Sequence, residues 1–146
     1  MKNIAITTSS LSTILFFISL NSSCFANEDK RVFVDMPDMM QKHQLTNMRD
    51  HLMAINEILQ NMGEDNLDKA ADIAETRLGM SSLSSHGANH MAKMMPKEMR
   101  AIGTSMHKAA SRFSLKAQEG DALVAYKSLQ EVTAACVACH AGFRTR

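Results

Sequence analysis

The string Cys136-Val137-Ala138-Cys139-His140 puts two thiols and an imidazole within five residues, close to the C-terminus. On a helix, residues three and four apart share a face, so all three side chains would point to one side. That set suits one chemistry above others. The thiols can add to the two vinyl groups of a haem as thioethers, and His140 can bring a ring nitrogen to the iron. A redox-active C-x-x-C pair wants its first Cys at a helix N-terminus, where the dipole lowers the thiol pKa. Here the pair falls near the end of the last expected helix. A structural zinc site uses four nitrogen or sulfur ligands. Cys24 is the only other cysteine, and it lies in the N-terminal leader described below. A plain disulfide would leave His140 without a role. The motif occurs once, which predicts one covalent haem c held by Cys136 and Cys139, with His140 as proximal iron ligand.

Helices must position this motif. The chain has 146 residues, with only 2 Pro and 6 Gly, and Met reaches 13. Many Ala, Leu and Met with few β-branched or aromatic residues favour helix over a turn-rich β fold. The first helix should start near Asp35-Met36-Pro37, with Asp35 as cap, and stop at Gly63. Its expected inner stripe is Leu45, Met48, Leu52, Ile55, Leu59 and Met62. A second helix is expected from about Asn66 to Leu78, with Leu67, Ala70, Ala71, Ala74 and Leu78 inside. A Ser-, then His- and Met-rich link over 80–95 follows, with room for a short helical turn. Pro96 opens a third helix whose stripe is Met99, Ile102, Met106, Ala110, Phe113 and Ala117. Gly120 ends it, and Asp121 caps a fourth that carries Leu129, Val132, Cys136, Cys139 and Phe143 on one side. Four such amphipathic helices bury their stripes by packing together, so the expected fold is all-α, an antiparallel four-helix bundle.

The first 26 residues read as a leader and not as fold. Lys2 gives a short positive end, Leu11 to Leu20 is an apolar centre, and Cys24-Phe25-Ala26 offers small residues at the cleavage positions. The expectation is a signal peptide over 1–26, cleaved after Ala26, and one exported domain over 27–146. Lipidation at Cys24 is the weaker reading, because Asn21 stands where such sites usually carry Leu. The apolar centre is too short to span a bilayer, and no second long apolar run exists, so no membrane span is expected. With 16 Lys+Arg against 15 Asp+Glu, the formal net charge is +1, which offers no global attraction to nucleic acid.

The run Cys136-Val137-Ala138-Cys139-His140-Ala141-Gly142-Phe143-Arg144 at the C-terminus, behind four helical segments, resembles the class II c-type cytochromes. These are cytochrome c prime and its low-spin relatives. The resemblance implies haem seated between the helices and carried by the last one, with His140 as proximal ligand and the opposite haem face toward the first helix. Low-spin members use a Met there, whereas cytochrome c prime proper leaves the iron open. Met48 matches the ligand position, with Leu52, Ile55 and Leu59 at the inward spacings that follow it. It is the candidate sixth ligand, and an open iron with Met48 close by is the alternative. By analogy the resemblance also admits a homodimer.

Other residues weigh on function. Arg144, four after His140, is a candidate partner for a haem propionate, since Arg suits planar carboxylates. His43 and His51 flank Met48, and a solvent-facing role is expected for His51. His86, His90, Met91, Met94, Met95, Met99, Met106 and His107 form a dense set of soft ligands. The expected function is a periplasmic electron carrier serving redox partner proteins. It is not expected to be an enzyme, since no nucleophile elbow or phosphate loop is present. Two alternatives stand beside it. One is a five-coordinate haem protein that binds a small gas such as NO or CO. The other is a copper-binding protein acting through the His/Met-rich segment 86–107.

Overall fold

The computed structural model describes residues 28–146, so the expected leader and the cleavage after Ala26 lie outside the described residues. The architecture is all-α. Its elements are a two-residue strand β1 (Val32–Phe33), then α1 (Asp38–Gly63), α2 (Leu67–Arg77), a 3-10 turn (Met80–Leu83), α3 (Ala88–Met91), α4 (Lys97–Gln118), α5 (Ala122–Gly142) and a second short strand β2 (Phe143–Arg144). Among the described residues no helix is long and apolar enough to cross a membrane.

Local chemistry explains most boundaries. Asn66 caps α2 by accepting from the Lys69 amide, and Asp121 caps α5 by accepting from the Leu123 and Val124 amides. Pro37 and Pro96 stand immediately before α1 and α4, where a missing N–H costs nothing. The expected Asp35 cap is not used, because Pro37 is the N-cap and no side chain caps α1. The 80–95 link resolves into the 3-10 turn and the single turn α3.

Helices α2, α4 and α5 pack in series, and α1 lies along α2. The core joins Ala54 and Ile58 of α1, Leu67, Ala70, Ala71 and Ala74 of α2, Leu78, Ala109, Ala110 and Phe113 of α4, and Leu129 and Val132 of α5. The alanines matter here, since small side chains let helices approach closely while Phe113 and Ile58 fill the space between them. All five apolar positions expected inside the second helix are buried.

The expected stripe on α1 packs against the core at Ile55 and Met62 but needs correction at Leu52 and Leu59. Its buried residues are Asn47, His51, Ala54 and Ile58, while Leu52 is 72% exposed and Leu59 45% exposed. At 3.6 residues per turn, the buried face lies about 100° around the helix from the apolar stripe. Polar contacts explain the rotation. The Asn47 side chain donates from Nδ2 to the His86 carbonyl at 3.1 Å, drawing that face of α1 against the link.

The strands add a feature that the helical pattern did not predict. β1 and β2 run parallel, pairing Val32 with Phe143 and Phe33 with Arg144. The Val34 amide continues the pairing to the Arg144 carbonyl at 2.8 Å. The segment before α1 is thereby tied to the residues just after the Cys-x-x-Cys-His string.

Candidate functional site

Helix α5 carries Cys136, Cys139 and His140 on its last two turns. Both cysteines are half-buried and their sulfurs are not bonded to each other. They reach two different apolar neighbourhoods. Cys136 packs against the main core, whereas Cys139 and Phe143 pack against a second cluster of Val34, Met36, Met91 and Met99, with Met40 and Met95 alongside. Five methionines, from the stretch before α1 to the start of α4, thus share this cluster with Cys139. Thioether side chains are flexible and polarisable, so they fill irregular space beside a planar apolar group well.

Burial pushes the Cys136 thiol above its ordinary value, and burial together with the nearby Cys136 does the same to Cys139. A raised pKa leaves little thiolate at neutral pH and makes a poor redox nucleophile. His140 is exposed, and its backbone carbonyl accepts from Arg31 Nη1 at 3.4 Å. Gln41 of α1 donates its side-chain amide to the Thr145 carbonyl. The strand pairing, Arg31 and Gln41 therefore fasten the end of α5 and the residues after it.

Arg144 is placed differently from the helical expectation. α5 stops at Gly142 and Phe143 is extended, so Arg144 sits on β2 and not one helical turn beyond His140. Its guanidinium lies 5.0 Å from the Phe33 ring centre, and its Nε is 3.6 Å from Asp29 Oδ2. That Nε is buried without a hydrogen-bond partner. Asp29 is committed elsewhere. Its carboxylate is held by the Arg31 side chain at 2.7 and 2.9 Å, which keeps its pKa down at about 2.

Met48 is half-buried on α1 and belongs to neither apolar cluster. The structure brings Cys136, Cys139 and His140 together and places Met36, Met40, Met91, Met95 and Met99 near Cys139. It does not bring Met48 into that group. Sequence reasoning missed Met36 and Met40, because they lie before and at the start of α1, where no stripe had begun. The donor set fits a covalently held haem: two thiols that are free to form thioethers, an accessible imidazole on the adjoining turn, apolar side chains beside Cys139, and an orphaned guanidinium N–H on Arg144.

The histidines also part from expectation. His51 is buried at 9% exposure, not solvent-facing. It shares a small cluster with His86 and His107, whereas His90 is exposed. Compared with protein-family models, with curated proteins and with solved structures, the chain has no match in any of the three.

Proposed function

We propose that the protein is a periplasmic monohaem cytochrome of the c type that carries single electrons between redox partner proteins. Cys136 and Cys139 hold the haem through thioethers, and His140 ligates the iron. The observation that carries this reading is the placement of two unbonded, half-buried thiols and an exposed imidazole on the last two turns of α5, beside a methionine-rich apolar cluster. When bound, haem supplies a one-electron ferric/ferrous couple whose potential depends on its axial ligands and surroundings.

The remaining roles fall to the chain. The four longer helices form the antiparallel bundle that holds the group. Met36, Met40, Met91, Met95 and Met99 limit water near Cys139, which favours a small reorganisation on electron transfer. Met48 is the candidate sixth ligand, and the exposed Leu52 and Leu59 on its flank of α1 supply apolar surface next to it. Arg144 offers an unpaired N–H to a propionate. No catalytic residue is assigned, since a carrier needs none.

The test is direct. Protein exported from cells that attach c-type haem should be coloured, with the mass of the chain from Asn27 plus one haem. Reduction should sharpen the visible bands. Cys136→Ala/Cys139→Ala should give colourless protein of bare polypeptide mass. A colourless wild-type product from such cells ends the reading. A high-spin spectrum that responds to CO would instead favour the gas-binding alternative.

A further inference from the structure

Three histidines from separate parts of the chain meet away from the Cys-x-x-Cys-His string. They are His51 on α1, His86 in the link, and His107 on α4. The ring centres stand 4.8 Å apart for His51 and His86, 5.7 Å for His86 and His107, and 6.0 Å for His51 and His107. The spacing has a simple benchmark. A metal–imidazole nitrogen bond is about 2.0–2.1 Å and the ring centre lies about 1.1 Å further out, so three imidazoles on one ion have centres about 5–5.5 Å apart. The observed triangle lies around that size.

Two of the rings are prepared for ligation, and the third is held beside them by its backbone. His107 donates Nδ1–H to the Leu78 carbonyl at 2.7 Å, which leaves the Nε2 lone pair available, the usual arrangement behind a metal-bound histidine. His51 Nε2 is buried and has no hydrogen-bond partner. Such an atom is costly unless something engages it. His86 is held to α1 through its carbonyl, which accepts from His43 Nε2 at 2.9 Å and Asn47 Nδ2 at 3.1 Å. Burial is the first cause that lowers the pKa of all three rings.

We propose that His51, His86 and His107 form a binding site for one borderline transition-metal ion, Zn(II) or Cu(II), which would join α1, the link and α4. Imidazole donors suit both ions. Among the described residues, no three His, Cys, Asp or Glu side chains already stand in metal-holding positions. Binding would require the His51 and His86 rings to turn toward Nε2 of His107, whose own ring is held by Leu78. An imidazole centre lies nearly on its Cβ–Cγ axis, so turning χ2 re-aims the nitrogens while the centre stays in place. This site is distinct from the His/Met-rich segment taken alone, because one ligand comes from α1 and His90 is not among them.

The probe is Zn(II) added to the exported, haem-bearing protein after treatment with a chelator. Calorimetry should show one equivalent bound, and the unfolding midpoint should rise with Zn(II) concentration. Zinc-edge X-ray absorption should show three imidazoles in the first shell. His51→Gln, His86→Gln and His107→Gln should each weaken binding at least tenfold, and His90→Gln should leave it unchanged. No stoichiometric binding by the wild type overturns the proposal, as does a first shell without imidazole. Binding that survives all three substitutions, or that is lost in His90→Gln, does the same. The absorption measurement needs only wild-type protein, so a variant that fails to fold does not shield the proposal.

Discussion

His43 Nε2 lies 2.9 Å from the carbonyl of His86, and the next residue, Gly87, turns the chain at φ +62°. A Cβ at Gly87 would come 3.1 Å from that same His43 nitrogen. The left-handed turn and the close approach together seat the His86 backbone on α1. They bring the Met-rich end of the link into the molecule, where Met91 packs in the Cys139 cluster.

Gly87→Ala should therefore destabilise the protein by about 1–2 kcal/mol, from left-handed strain and displacement of His43. Gly103→Ala is the contrast. Gly103 lies inside α4 with nothing within 4 Å of an added Cβ. That change should stabilise by about 0.5–1 kcal/mol. Urea unfolding of both variants checks the pair; equal effects would show that the link does not bear on stability.

Arg77 ties α2 to α1. Its guanidinium meets Asp50 at 2.5 Å and Glu57 at 2.7 Å, and it pulls the Asp50 carboxyl below its ordinary pKa. The carboxylates are two-fifths exposed, so screening limits the gain. Arg77→Met should cost about 1 kcal/mol in chemical denaturation, and Arg77→Lys should recover only part of it, because a single ammonium cannot reproduce the forked contact. Full recovery by Lys would point to charge alone.

The histidine cluster gives metal-free protein a pH dependence. Burial, followed by the neighbouring His86 and His107, lowers the His51 pKa from 6.5 to about 4, and His86 and His107 are lowered too. A folded-state pKa below the unfolded value means that the unfolded chain binds the proton first on acidification. Stability should be full above pH 6.5 and decline as pH falls toward 4, with His51 contributing on the order of 3 kcal/mol across that window. His51→Gln should flatten the slope of unfolding free energy against pH. An unchanged slope would mean that His51 does not carry it.

Protein made without haem attachment should have slow thiols. Burial raises both Cys136 and Cys139. At neutral pH, alkylation by iodoacetamide should run about tenfold or more below that of a free small thiol, and it should quicken in alkaline solution or on unfolding. Fast labelling of Cys136 in the folded state would favour a thiol-redox role over attachment.

Met48 can be separated from the methionines near Cys139. A ferric absorption band from sulfur ligation should be present in the haem-bearing wild type and absent in Met48→Leu. Met40→Leu, in the Cys139 cluster, should leave the band in place. The reverse pattern would transfer the ligand from α1's exposed flank to the cluster.

Much of the helical layout was legible along the chain because its signals are local. Asn66, Pro96, Gly120 and Asp121 act within a turn of where they stand, whereas α1 runs through Gly63 and the left-handed turn after it falls on Asp65. The Cys136, Cys139 and His140 spacing is local in the same sense. The face that α1 buries is not. Leu52 and Leu59 follow the apolar period, yet Asn47, His51, Ala54 and Ile58 are the residues inside. That choice depends on hydrogen bonds to a link some forty residues away.

The position of Arg144 was likewise beyond the local pattern. Counting four residues from His140 assumes that the helix continues, whereas pairing with Val32 and Phe33 draws Phe143 and Arg144 into extended backbone. Residue types and spacing alone therefore determined the starts of α2, α4 and α5 and the shared turn of Cys136, Cys139 and His140, since those depend on neighbours within a turn or two. Only the tertiary structure decided that His51, His86 and His107 meet and that five methionines share a cluster with Cys139. Such contacts are made by residues distant in the chain, and no periodicity within one helix encodes which partner a given face will find.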